Sequence, residues 1–384
     1  MHTFLITVLS VLSAIFFFTA CEKKKVAETI DFGVQGPETG EIAVYGLQTL
    51  YGAQLAVKEI NADGGINGKP LRIVHYDSRG DKQEAVNVAQ RLINVDKVCA
   101  VLGEPTSGAT FAIRSILNES KTVEISAGAT AKDVPTAHPF VFRNTLLDDD
   151  GGPATIDFLM KTKGWKDFAI ITSVNNDYSV GLSESFRKAI ADFGGTVVAE
   201  QSINDKDTNV SAQVTAMKSK KFDAVVYSGY YQEASLILLE LRKQGIPAPL
   251  VGGDGLQSPE LYNVAKDAAI GTVFFAGFST FSPDAKVVAF NEKIKGEGAD
   301  SDMFAAQGYD AIYLLTNAAR AAGVTDCTDP AQRTKLRDEL AVVKNFPGVS
   351  GEMSFDAEGN AVKKPFIQEV YKGEDGNYKL RLLN

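Results

Sequence analysis

Histidine, cysteine and tryptophan are scarce, at three, three and one in 384 residues. Beyond the first twenty positions only His75 and His138 remain, and they make no metal-ligand pair at helical spacing. Three cysteines are too few for a disulfide-built scaffold. Positive charge is also short: 39 Lys plus Arg against 48 Asp plus Glu gives 39 − 48 = −9, which argues against a nucleic-acid binder. Catalytic signatures are missing, with no Gly-x-Ser-x-Gly elbow and no arguable Cys–His arrangement. The stretch Gly64-Gly65-Ile66-Asn67-Gly68-Lys69-Pro70 is one residue short of phosphate-loop spacing, and Pro70 stands where Ser or Thr should open a helix. The sequence therefore predicts neither enzyme activity nor a metal or cofactor site.

One long apolar run is present. Residues 4–20 contain seventeen positions without a charge, a little short for a membrane span and well suited to a signal-peptide core. It stops at Cys21, and Phe18-Thr19-Ala20-Cys21 resembles the bacterial lipobox, in which the cysteine is lipidated and becomes the new N-terminus. This predicts a signal peptide over 1–20 and a periplasmic or cell-surface protein held to the membrane by a lipid on Cys21; a plain cleaved signal or a short anchor helix is the alternative. Cys99 lies in the apolar run 98–102 and Cys327 in a polar turn. Both read as structural, and their spacing does not require a bridge.

Past residue 26, β-rich runs at 72–76, 98–102, 168–172, 223–227 and 271–275 alternate with helical patterns at 51–60, 83–93, 182–193 and 233–243. Gly64-Gly65 and Gly194-Gly195 follow two of those helices as C-cap turns do. Such alternation predicts an α/β fold with parallel, doubly wound sheets. There are more strand–helix units than one ordinary sheet needs, so two lobes are expected. Patterning pauses at 145–152, 277–280 and 346–350, giving three crossovers, one lobe from 27–147 and 278–348 and the other from 148–277 and 349–384. Asp148 to Asp150 read as a solvated loop supplying a helix N-cap. No internal repeat is visible.

Two segments at strand ends carry small hydroxyl residues. Residues 103–110 run from a strand into a helix starting near Gly108, whose unpaired N–H groups suit a carboxylate, with the Ser107 hydroxyl as a further donor. Residues 126–130 follow another strand and bring Thr130 and the Gly128 carbonyl toward the same crevice.

These segments resemble the periplasmic leucine/isoleucine/valine-binding proteins. The marks are Ala53-Gln54-Leu55-Ala56-Val57-Lys58-Glu59-Ile60-Asn61, the turn at 64–66, Tyr76-Asp77, Ile125-Ser126-Ala127-Gly128-Ala129-Thr130, Tyr227-Ser228-Gly229-Tyr230-Tyr231 and Gly252-Gly253-Asp254-Gly255, in order. The resemblance covers nearly all of residues 29–384 and implies a type I periplasmic binding fold. It implies an α-amino acid, branched-chain or otherwise apolar, captured between the lobes and delivered to an ABC permease in the inner membrane. It favours a monomer. By the same resemblance Ser107 and Thr130 hold the ligand carboxylate, and Thr130, the Gly128 carbonyl and Asp254 hold its ammonium. Tyr178 closes over the ligand, while Tyr45, Tyr230 and Phe304 wall the side-chain pocket. Thr106 is a further candidate ligand contact; Pro105 and Thr106 stand where the family has an apolar residue and a cysteine, and Arg79 where a paired cysteine can occur, so the family's small disulfide is not expected. A binder of aromatic or other carboxylates, or a ligand sensor of the same fold, is the alternative function.

Overall fold

The computed structural model describes residues 28–384, so the expected signal peptide and Cys21 lie outside the described residues. The first sheet is wholly parallel, with strands β1 (Ile30–Gly36), β2 (Leu71–Asp77), β3 (Ala100–Gly103), β4 (Val123–Ser126) and β5 (Val141–Arg143) in the order β2-β1-β3-β4-β5. Helices α1 (Ala43–Ala62), α2 (Lys82–Asn94) and α3 (Ser107–Ser120) connect its strands. The chain then passes through α4 (Asp148–Lys163), β6 (Asp167–Ser173), α5 (Asp177–Asp192), β7 (Thr196–Ile203), α6 (Ser211–Met217), β8 (Ala224–Tyr227), α7 (Tyr231–Lys243), β9 (Leu250–Gly252), α8 (Pro259–Ala265) and β10 (Val273–Ala276). It returns through α9 (Ala285–Gly296), α10 (Met303–Ala321), α11 (Pro330–Ala341) and the pair β11 (Phe346–Gly348) and β12 (Gly351–Met353), and ends in β13 (Phe366–Lys372) and β14 (Tyr378–Leu382).

The second sheet runs β14-β13-β10-β9-β8-β6-β7. Strands β6 to β10 are parallel within it, and β13 and β14 add an antiparallel edge. Both sheets thus share one doubly wound order, in which the second strand of the lobe lies outside the first and the third begins the other direction. The fold repeats although the sequence does not. Strands β3, β4, β8 and β10 are buried at every position, as parallel strands covered on both faces must be.

Several boundaries differ from the sequence reading for local reasons. Helix α1 begins at Ala43, eight residues before the expected 51, because Gly46 lets it press against the Pro37 backbone: a Cβ there would lie 2.0 Å from the Pro37 carbonyl oxygen. Helix α5 begins at Asp177 because the Asn176 side chain accepts from the N–H groups of Tyr178 and Ser179. The expected C-cap turns are present, with Gly64 and Gly194 at φ 90 and 82. The pause at 346–350 is the β11–β12 turn rather than the third crossing. Met353, Phe355 and Ala361 pack with Phe142 in the core of the first sheet, so 349–361 belong with that sheet, and the chain enters the second only at Phe366.

The structure pairs Cys99 with Cys327, with Cα atoms 4.4 Å apart. The bridge ties the strand entering β3 to the loop before α11.

A second feature hidden in the apolar pattern lies under the first sheet's outgoing loops. Glu104, just past β3, and Glu124, within β4, are both fully buried, and Gly103 leaves room for the second: a Cβ there would sit 1.5 Å from Glu124 Oε1. Burial pushes the Glu104 carboxyl up to about 7. Burial, and then the Glu104 charge, holds Glu124 well above the usual carboxylate range; the Glu104 N–H offsets a little of this without reaching hydrogen-bond geometry. A carboxyl raised in the fold stabilises fully below its unfolded pKa, and the stability is lost as pH rises through the folded pKa. Glu124→Met should therefore raise stability by about 1–3 kcal/mol at pH 8 and by less at pH 5. Thermal unfolding at both pH values checks this, and equal effects at the two would exclude a titrating Glu124.

Candidate functional site

The outgoing loops of both sheets meet at one place. Residues 105–107 follow β3, 127–131 follow β4, Tyr178 follows β6, Tyr230 follows β8 and residues 253–255 follow β9. Tyr45 comes from α1, after β1. Strands β1 and β3 flank the point where strand order reverses in the first sheet, and β6 and β8 flank it in the second, which is where open α/β sheets bind ligands.

A cavity there is lined by Tyr45, Thr106, Ser107, Gly128, Tyr178, Tyr230, Asp254 and Phe304, eight of the nine residues singled out from the sequence, and also by Pro105 and Gly255. Its free volume is about 10 Å³, roughly the room of a single water molecule, so the lobes are closed down on one another here. Rings form its walls: Tyr45 stacks on Phe304 with centroids 4.5 Å apart, and Tyr178 on Tyr230 at 5.7 Å. The two lobes are pinned across the cavity. The Tyr45 hydroxyl donates to the Gly255 carbonyl at 2.7 Å, the Tyr231 hydroxyl to the Glu41 carbonyl at 2.6 Å, and Lys82 pairs with Asp177 at 2.6 Å.

One side of the cavity offers donors. Helix α3 starts at Ser107, and its N-cap residue Thr106 makes no side-chain cap, so the first N–H groups are not capped from that residue. The Ala131 N–H donates to Ser107 Oγ at 3.2 Å, which leaves the Ser107 hydroxyl hydrogen available to an anion. The opposite side carries Asp254, 3 % exposed. Burial raises its carboxyl to about 7, against the lowering effect of the Tyr178 hydroxyl and the Gly255 N–H. The Gly255 N–H also donates to the Tyr178 hydroxyl at 3.2 Å, which fixes that ring over the cavity. Donors on one wall and a desolvated carboxylate on the other match the two ends of a zwitterion.

Thr130 does not line the cavity. Its hydroxyl is buried without a hydrogen-bond partner among the described residues, and its carbonyl accepts from the Asp148 N–H at 3.1 Å. Asp148 departs from the sequence reading too. It is the first residue of α4 rather than a cap, it is 2 % exposed rather than solvated, and both carboxylate oxygens lack a partner among the described residues. Burial first and the Asp254 charge second hold it well above the usual carboxylate range.

Arg143 is the positioning residue that sequence reasoning missed. It is fully buried, and its guanidinium donates to the carbonyls of Ala129, Ala131 and Lys132 at 3.0, 2.6 and 2.9 Å and to Asn360 Oδ1 at 2.8 Å. Those bonds set the loop that presents Gly128. Gln307 supports the same loop by donating to the Ala127 carbonyl at 2.5 Å. Among the described residues no acidic, histidine and cysteine cluster fit for a metal occurs, and no helix is long and apolar enough to cross a membrane.

Comparison with known proteins gives a consistent picture. A family model described as periplasmic binding protein matches residues 29–374. The Leu/Ile/Val-binding protein BraC3 of Rhizobium johnstonii is 30 % identical over 349 residues, covering 90 % of this chain and 92 % of that one. The substrate-binding protein LivJ of a branched-chain amino acid transporter from Streptococcus pneumoniae, solved in complex with isoleucine, is 34 % identical with a TM-score of 0.84, covering 92 % of this chain and 99 % of that one. The leucine binding protein LivK of Thermotoga maritima is 30 % identical with a TM-score of 0.85, covering 93 % and 99 %.

Proposed function

Because the chain belongs to the periplasmic binding protein family, in its branched-chain amino-acid transporter group, we propose that it is an extracytoplasmic lipoprotein that captures an α-amino acid with an apolar side chain and hands it to an ABC importer. In this reading the lipid sits on Cys21, the protein works as a monomer, and the partner is a permease of the inner membrane. The lobe formed around the first sheet, with residues 278–361, closes on the lobe around the second by hinge motion at the three crossings. The observation that carries the reading is that the buried Asp254 and Ser107, at the start of α3 that Thr106 leaves uncapped, line one aromatic cavity.

Each group then has a task. The first N–H groups of α3 and the Ser107 hydroxyl hold the ligand carboxylate, and Asp254 with the Gly128 carbonyl holds the ammonium. Tyr45, Tyr178, Tyr230 and Phe304 enclose the side chain and exclude water, which strengthens both charged contacts. Pro105 and Thr106 shape the remaining wall, while Thr130 acts from behind by fixing the start of α4. A buried carboxylate has no use for a ligand without an amine, so amine-free carboxylates are disfavoured.

Calorimetric titration of refolded protein against the common amino acids and their deaminated analogues tests the reading. Binding of leucine, isoleucine or valine near micromolar, about −8 kcal/mol, with silent analogues is expected. A response to simple carboxylates with none to amino acids would overturn the substrate class.

A further inference from the structure

The closed cavity has one extension. Thr106 and Tyr230 line both it and a second, outer cavity, where about 230 Å³ admits the centre of a water molecule, against about 10 Å³ in the inner one. These two residues form the boundary that a side chain too long for the inner cavity would cross. What it meets there is acidic at depth and basic only at the mouth. Glu233 is 3 % exposed; its Oε1 accepts from the Lys206 N–H at 2.7 Å, and its Oε2 has no partner among the described residues. Asp205 lies beside it, half-buried, with Oδ2 accepting from Asn176 at 2.8 Å and Oδ1 without a partner among the described residues. The cations around the opening are exposed, and Lys82 is already paired with Asp177. The Tyr230 phenol stands between the two acidic sites: after burial, the charges of Asp205, Asp254 and Glu233 all push its pKa up.

We propose that the outer cavity is a subsite for a cationic group at the far end of an amino-acid side chain, held by Glu233 with Asp205 beside it, so that the protein takes basic α-amino acids as well as apolar ones. This rests on the α-amino-acid reading above. Asp254 and Gly128 hold the α-ammonium, the carbon chain passes Thr106 and Tyr230, and the terminal ammonium approaches Glu233 and Asp205, whose buried unpartnered oxygens turn toward it on binding. Burial first, and then the neighbouring carboxylates, lift Glu233 to about 7 and Asp205 above its ordinary value, and an arriving cation relieves both.

The test compares L-lysine with L-norleucine, which has the same carbon chain without the terminal amine, by calorimetry on the refolded protein. Lysine should bind at least tenfold tighter, and Glu233→Gln, which keeps an acceptor for the Lys206 N–H, should abolish the difference. Asp205→Asn, at a less buried position, should narrow the gap at least threefold and serves if the first variant does not fold. Norleucine binding as well as lysine, or a gap that survives in the folded variants, overturns the subsite while leaving the α-amino-acid site standing. Silence from every amino acid, leucine included, overturns both.

Discussion

Asp254→Ala should weaken binding of α-amino acids 100-fold or more, about 3 kcal/mol, because it leaves the ligand's ammonium unpaired inside an enclosed cavity. The expectation follows from burial. In water a carboxylate–ammonium pair is weak, but Asp254 is 3 % exposed and ringed by Tyr45, Tyr178, Tyr230 and Phe304, so both charges meet without solvent. The same burial predicts a pH dependence with a definite sign. With the Asp254 carboxyl at about 7 in the free protein, acid protonates it and removes the partner of the ammonium. A fall from pH 8 to 5.5 should therefore cost about 30-fold in affinity, since the ligand's own groups keep their charge across that window. Titrations of the unaltered protein and of Asp254→Ala at the two pH values decide the matter. The variant should be weak and nearly pH-independent. An affinity unchanged by the substitution would remove Asp254 from the site, and a flat profile in the unaltered protein would remove its titration from the mechanism.

Much of this was legible in the chain because parallel sheets write simple patterns. Runs such as 168–172 and 223–227 are apolar at nearly every position, and glycine pairs after helices mark where the chain turns back. The loops after strands carry the site, so short motifs beginning where those runs stop, at 103–110 and 126–130, pointed to the cavity-lining Ser107 and Gly128, while Asp254 was reached through the family resemblance. What stayed hidden were charges with no surface role. Arg143 and Asp148 look like exposed residues around a crossing, yet each is buried by partners distant in sequence: Asn360 receives the Arg143 Nε–H, and the Ser185 hydroxyl packs on the Asp148 carbonyl at 3.2 Å. A lone arginine closing the run Phe140-Val141-Phe142 was the available signal for the first; nothing local marked the second. The third crossing was misjudged because Pro347-Gly348 reads as a break in patterning, whereas the apolar residues after it, Met353 and Phe355, return to the first core.

The bridge between Cys99 and Cys327 supplies the remaining large effect. It joins positions 228 residues apart in sequence, and both cysteines are buried, at 0 % and 6 % exposure. A cross-link closing so long a loop removes many conformations from the unfolded chain, and losing such a bridge costs about 2–5 kcal/mol. At about 1.3 °C per kcal/mol for a chain of this size, Cys99→Ala with Cys327→Ala should lower the melting temperature by roughly 3–7 °C. Ligand affinity should stay within about twofold of the unaltered protein, by the geometry of the sheet. Cys99 precedes β3 at its incoming end, where Asp31 of β1 also sits, whereas the cavity is built on the outgoing ends of β3 and β4. The bridge therefore fixes the helix-side loop before α11 to the far edge of the lobe without reaching the binding loops. Thermal unfolding with and without reductant, beside a calorimetric titration of the double variant, separates the two effects. A reductant-insensitive melting curve would show that the bridge contributes nothing. A large loss of affinity would show instead that strain at the incoming edge travels through β3 to Ser107, making the sheet a lever rather than a platform.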